Sequence, residues 1–338
     1  MNERQKRTLA SLLTLVVVMA VVFGVVKAAG RWARQREEAE AAASQEETLD
    51  TVQVPYTSLS YRCGGTMLSF SMDGEAQWYW TNDPEFPLQQ DAIEKIVSLV
   101  ENMKPQQTIT EGDTLEAYGL TEPAATLCLT ASNGIKTEFS FGKTTTDGDS
   151  YYVLMNNVES PVYIIADTLY QAISVGIYDM MDLPEYPQIP EEDWQTLTLR
   201  CPAAEGEVPE IKTWDLSQGK GDGDSAALAE LLAELKVDAC VDYRPSDDAA
   251  AICGFGETDT PIKIALLYND SDGQADISAS REGETVRMLE IGGMTLDGEG
   301  YYIRVDEDTT IYRLAAQTVA PALQAAGQEP EPVSEPAA

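Results

Sequence analysis

The 338-residue chain contains no histidine. That absence excludes Ser-His-Asp and Cys-His nucleophile pairs, histidine metal sites and the usual acid–base group near neutral pH. Positive charge is scarce as well: 22 Lys and Arg stand against 57 Asp and Glu, a formal net charge of −35. A body this acidic is repelled by nucleic acid and by an anionic membrane surface, so nucleic-acid binding is excluded. The five cysteines, Cys63, Cys128, Cys201, Cys240 and Cys253, show no C-x-x-C spacing. Neither a zinc cluster nor a redox pair is indicated, and the thiols read as small buried apolar groups. No cofactor is expected.

One stretch does resemble a motif with chemistry. FGKTTTDGDSYYV, Phe141 to Val153, holds the letters GKTT that close a phosphate-binding loop. Such a loop needs G-x-x-x-x-G-K-[ST] between a strand and a helix, so that backbone N–H groups and the helix N-terminus face the phosphates. Here Thr137 occupies the first-glycine position, and Asp147-Gly148 followed by a tyrosine-rich run reads as strand, turn, strand. The decisive comparison is internal. LEIGGMTLDGEGYYI, Leu289 to Ile303, aligns without a gap with Phe139 to Val153, and Gly293 replaces Lys143. What recurs is a hairpin.

The repetition extends along the chain. In the first copy a β-like segment, Ser58 to Trp80, precedes an amphipathic stretch, Asp91 to Met103, with Ile93, Ile96, Val97, Val100 and Met103 at helical spacing. In the second, Thr196 to Leu216 precedes Asp224 to Val237. Gly119 answers Gly254, Pro123 answers Pro261, and VYIIADTLYQAI answers IYRLAAQTVAPAL as a closing strand and helix. The expected fold class is therefore α+β: an N-terminal transmembrane helix, then two repeated β-rich units, each ordered strand–helix–hairpin–strand–helix. DLPEYPQIPEEDW, residues 182–194, is a Pro-rich connector between units at 56–181 and 195–323, and the polar tail 324–338 is expected to be disordered.

Long apolar runs are otherwise missing, but Leu9 to Val26 is free of charge. With its flanks it is long enough to cross about 30 Å of hydrocarbon, so a cytoplasmic tail at 1–8, an anchor at 9–29 and a helical stalk or linker at 30–55 are expected. A cleaved signal is the competing reading, but a signal core is usually shorter, about 7–15 residues. Basic residues flank the run on both sides, so the positive-inside count does not decide orientation. A short amino-terminal anchor before a long soluble region places the bulk of the chain outside the cytoplasm, single-pass at the cell membrane.

Candidate sites are few. The acidic turns Gly219–Ser225 and Asn269–Asp276 do not match a calcium loop of EF-hand type, because Gln218 and Lys220 in one and Tyr268 in the other occupy its leading ligand places. They read as solvated turns, and no metal site is assigned. Trp78, Tyr79 and Trp80 lie together at the end of a β-like segment, where alternation turns at least one ring away from the core. They form the candidate ligand or partner surface, against which core packing of one tryptophan must be weighed. No residue is assigned a catalytic role.

With Tyr118-Gly119-Leu120 through Pro123, the strand ending in Phe141-Gly142, the tyrosine pair and the closing VYIIADTLYQAI in view, the chain resembles a bacterial membrane-anchored family known only as domain of unknown function 4340. The resemblance implies a single-pass envelope protein alongside ABC-type export and gliding-associated systems, hence an envelope partner or transporter subunit. It implies no catalytic residue. The expected function is a non-enzymatic, membrane-anchored extracytoplasmic interaction or assembly module; the alternative is a ligand-binding module for sugar or cell-wall fragments.

Overall fold

The computed structural model describes residues 54–204, 207–219, 221, 223–269 and 284–328. Alternation of apolar and polar side chains governs most of this length. Ala125–Ala131 buries every second residue, as do Trp194–Arg200 in part and Ile262–Asn269, which is the signature of strands with one covered face.

The first sheet runs β3-β2-β1-β5-β6-β7-β8-β4. Its strands are β1 (Tyr56–Cys63), β2 (Thr66–Met72), β3 (Trp78–Trp80), β4 (Gln107–Ile109), β5 (Ala125–Ala131), β6 (Lys136–Thr144), β7 (Ser150–Met155) and β8 (Val162–Ala166). The second runs β10-β9-β12-β13-β14-β15-β11. Here the strands are β9 (Trp194–Arg200), β10 (Ile211–Asp215), β11 (Ala239–Asp242), β12 (Ile262–Asn269), β13 (Glu284–Met294), β14 (Gly300–Val305) and β15 (Ile311–Ala315). With β3 set aside, the two sheets take up their strands in the same chain order. Neighbouring strands in both pair antiparallel.

Five short helices accompany the strands among the described residues: α1 (Gln90–Glu101), α2 (Thr168–Ile173), α3 (Asp224–Ala233), α4 (Asp247–Ile252) and α5 (Ala316–Ala325). On α1 the expected apolar stripe is real, since Ile93, Ile96 and Val100 are fully buried. Helices α3 and α5 pack on each other and on β12. Leu228 and Leu232 from α3 and Val319 and Leu323 from α5 join Leu197, Leu199, Ile264, Leu266 and Ile303 in the buried set.

The α+β expectation, with an N-terminal transmembrane helix and a strand–helix–hairpin–strand–helix order in each unit, is corrected here. The described chain is dominated by two antiparallel sheets and carries few helices. Each unit also has strands that the expected order omits. The segment Ser58–Trp80 resolves into three strands, and the short strands β4 and β11 close the far edge of each sheet. A three- or four-residue edge strand paired on one side is too short to show a periodicity. No helix among the described residues is long and apolar enough to cross a membrane; the run Leu9–Val26 and most of the stalk and of the tail lie outside the described residues.

By Cα proximity the chain falls into two units. One is built on Ile96–Tyr170; the other joins Thr57–Lys95 to the chain from Gln171 onward. This division differs from the hydrogen-bonded sheet order, which places β1–β3 in the first sheet. The ladder defines the strands.

The two hairpins share their backbone in detail. Thr145 N–H donates to Ser150 O at 2.8 Å, and Thr295 N–H to Gly300 O at 2.8 Å. The turn glycines Gly148 and Gly298 have φ of 85° and 72°, a region nearly closed to β-branched residues. Both ladders are irregular just before the turn, between Phe141 and Thr144 and between Ile291 and Met294. At those irregularities Lys143 N–H donates to Tyr118 O at 2.8 Å, and Gly293 N–H to Cys253 O at 2.9 Å.

Candidate functional site

Trp78, Tyr79 and Trp80 form β3, the edge strand, in register with Met72, Ser71 and Phe70. The side chain of Gln90 holds this edge from outside: its Oε1 accepts from Trp78 N–H at 2.7 Å and its Nε2 donates to Trp78 O at 2.9 Å. A glutamine at the start of α1 thus occupies the place of a missing neighbouring strand. Trp78 itself is core, 4% exposed, whereas Tyr79 and Trp80 are half-buried. Trp214 lies on β10, which in the second sheet takes the place of β2.

Beyond Trp80 the rings converge. Phe86, 3% exposed, meets Trp80 edge-on at 5.6 Å and Tyr243 edge-on at 5.2 Å. Tyr243 donates to Glu85 O at 3.2 Å, and Arg244 forks onto Asp83 at 3.0 Å and Glu85 at 2.8 Å. Tyr178 donates to Asp242 at 3.1 Å; burial, then the adjoining carboxylate, pushes its phenol up. The loop 81–87 is therefore fastened by an apolar hub with an ion pair at its rim. Trp80 Nε1 is buried without a hydrogen-bond partner among the described residues.

A separate cleft of about 650 Å³ opens beside the first hairpin, its lining including Gln106, Thr145, Asp147, Ser150, Tyr152 and Ile164. The hydroxyl of Thr145 donates to Asp147 and, at 3.2 Å, to Ser150 O. The hydroxyl of Ser150 donates to Gln106 Oε1 at 2.9 Å. Tyr152 lies 4.7 Å from Tyr118, ring centre to ring centre. Lys143, the residue of the GKTT letters, turns to Glu116 O and Ala117 O and is not among the cleft residues. A strand follows the turn, so no helix N-terminus faces it.

The model of one protein family, Domain of unknown function (DUF4340), matches residues 78–253, just over half of the chain. The chain belongs to DUF4340. No curated protein matches, and no solved structure does. The DUF4340 match begins at Trp78 and ends at Cys253, so it contains the aromatic strand, the Phe86 hub and the hairpin cleft, while β12 to β15 lie beyond it.

Sequence reasoning missed the DUF4340 cleft because its walls come from β4, β8 and the hairpin. A signal was present, however: VYIIA and IYRLA, set side by side, place Ile164 against Arg313. The five cysteines are all free thiols. Burial pushes the thiols of Cys128, Cys201 and Cys253 up, and that of Cys240 to about 12 with help from Asp242 and Asp308. Such thiols are poor nucleophiles. Among the described residues no three acidic or cysteine side chains converge as a metal site; the two acidic turns fall partly outside those residues.

Proposed function

We propose that this DUF4340 chain is a non-enzymatic docking module, attached to a membrane through its apolar amino-terminal run, with its bulk outside the cytoplasm beside an envelope complex such as an ABC-type exporter. The observation that carries the reading is the open edge of the second sheet. Among the described residues strand β10 ends that sheet with no strand on its outer side; Ile211 is 63% exposed, and Val208 just before it is 92% exposed. An unpaired edge with bare apolar side chains is a template for an added strand from a partner.

Co-purification from native membranes tests the proposal. An envelope partner should come down with the full chain and be lost with the double substitution Val208→Glu and Ile211→Glu, which touches only exposed positions. A partner retained by that variant, or hydrolysis of envelope glycans or peptides by the purified chain, would refute it. For the side of the membrane, protease added to intact spheroplasts should remove the sheets; protection until lysis reverses the assignment.

The ligand-binding alternative rests on Trp78, Tyr79 and Trp80, and the burial of Trp78 leaves Tyr79 and Trp80 as its stacking rings. Tryptophan fluorescence titrated with cell-wall fragments distinguishes it, since absence of a saturable change removes the idea.

A further inference from the structure

The cleft beside the first hairpin has a counterpart in the second sheet, and there it is filled. Tyr152 pairs with Ile164 across β7 and β8, and Tyr302 pairs with Arg313 across β14 and β15. The backbone equivalence is tight: Gln106 N–H donates to Ile164 O at 2.7 Å, and Asp238 N–H to Arg313 O at 3.0 Å. From the place of Ile164, the guanidinium of Arg313 reaches the hairpin and donates to Asp297 at 2.9 Å. Asp297 is braced by the Thr295 hydroxyl and the Glu299 N–H.

In the first sheet the aspartate and its braces recur without the arginine. Asp147 accepts from the Thr145 hydroxyl and the Asp149 N–H in the same way, and among the described residues no cation pairs with it. A Cβ on Gly300 would stand 2.5 Å from Leu314 O and 3.0 Å from Arg313 Cγ; the equivalent residue in the first sheet is Ser150, whose side chain helps line the open cleft.

We infer that the cleft is a socket for an arginine side chain of a partner protein, held by Asp147 as Arg313 is held by Asp297. The apolar stem would lie on Ile164 and Tyr152, and the planar donor fork would meet the carboxylate, a geometry that an ammonium matches less well. The inference rests on the docking proposal for the source of the arginine. The strongly acidic chain, at −35, favours a basic partner.

The test uses amide NMR of the full chain in detergent micelles, titrated with N-acetylarginine amide, its citrulline analogue, which keeps the shape without the charge, and its lysine analogue. The arginine probe should shift the amides of residues 145–150 saturably, the lysine probe more weakly and the citrulline probe not at all. Asp147→Asn should weaken binding at least tenfold. Ile164→Arg should abolish it by filling the cleft from within, and Arg313→Ala should open a second site at residues 295–300. Absence of saturable shifts, or equal binding by parent, Asp147→Asn and Ile164→Arg, overturns the socket. A partner that co-purifies equally with Asp147→Asn and Ile164→Arg leaves docking standing and removes arginine capture. Binding of the probe as expected, with no partner recovered from membranes, upholds the socket and removes the docking proposal instead.

Discussion

A Cβ placed on Gly142 would stand 2.2 Å from the carbonyl oxygen of Tyr118. The second sheet repeats the relationship, with Gly292 and Cys253 O also at 2.2 Å. In both, a backbone turn ending at a positive-φ glycine, Gly119 or Gly254, is seated on the irregular part of a ladder. No side chain fits between them. Gly142→Ala must displace backbone and should cost about 1–3 kcal/mol. Gly293→Ala, whose Cβ would find its nearest neighbour at 3.7 Å, should stay within about 0.5 kcal/mol of the parent. Urea melts of the two variants check the contrast; equal midpoints would refute it.

Gly148 separates conformational strain from crowding. Its φ is 85°, yet a Cβ there would meet nothing within 4 Å. Gly148→Val should therefore lose about 1–3 kcal/mol through backbone strain alone. Lys143→Ala, on the same hairpin, removes only an exposed side chain lying over Gly119 and should change stability by no more than about 0.5 kcal/mol. Neither the parent nor Lys143→Ala should bind ATP or GTP; saturable binding lost on that substitution would restore the phosphate-loop reading.

At the aromatic hub, area outweighs charge. Phe86 is buried among Trp80, Tyr178 and Tyr243, and Phe86→Ala should destabilise by about 3–5 kcal/mol through the cavity it leaves. Arg244→Ala breaks two contacts to Asp83 and Glu85 in an exposed setting, where water and salt screen the pairing. Its effect should be small and should vanish at high salt. Denaturation at low and high ionic strength distinguishes the two; a larger loss from Arg244→Ala would show that the rim, and not the ring packing, holds loop 81–87.

Cys240 supplies a pH dependence. Burial, with Asp242 and Asp308 adding to it, pushes the thiol from its ordinary 9.0 up to about 12. The unfolded chain therefore releases this proton first as pH rises, and stability present below about pH 9 is lost progressively toward pH 12. Cys240→Ser removes the ionisation, so the alkaline fall in urea midpoint should be shallower in the variant. An unchanged slope would show that Cys240 does not titrate differently in the two states. Thiol-specific labelling at pH 8 should likewise reach Cys240 only after unfolding.

Much of the hairpin was legible in linear order. Asp147-Gly148 and Asp297-Gly298 mark turns because a positive φ is cheap only for glycine, a local property of the backbone. The stripe of Ile93, Ile96 and Val100 marked α1 for an equally local reason, the spacing of one helix face. The α+β reading failed where structure is made by partners distant in sequence. Strands β4 and β11 exist because β8 and β15 offer them a ladder, and nothing within Gln107–Ile109 or Ala239–Asp242 announces it.

The candidate surface divides along the same line. Alternation placed Trp78, Tyr79 and Trp80 on a strand end, but which ring was core depended on Met72, Phe70 and Gln90. By itself the sequence determined that histidine chemistry is excluded, that the chain is strongly acidic, and that a glycine-turned hairpin occurs twice. Only the tertiary structure decided that Arg313 fills, in the second sheet, the place whose counterpart beside Ile164 stands open in the first. A side chain's destination is set by its register with strands elsewhere in the chain, and one exchange, isoleucine for arginine, leaves one cleft empty and the other occupied.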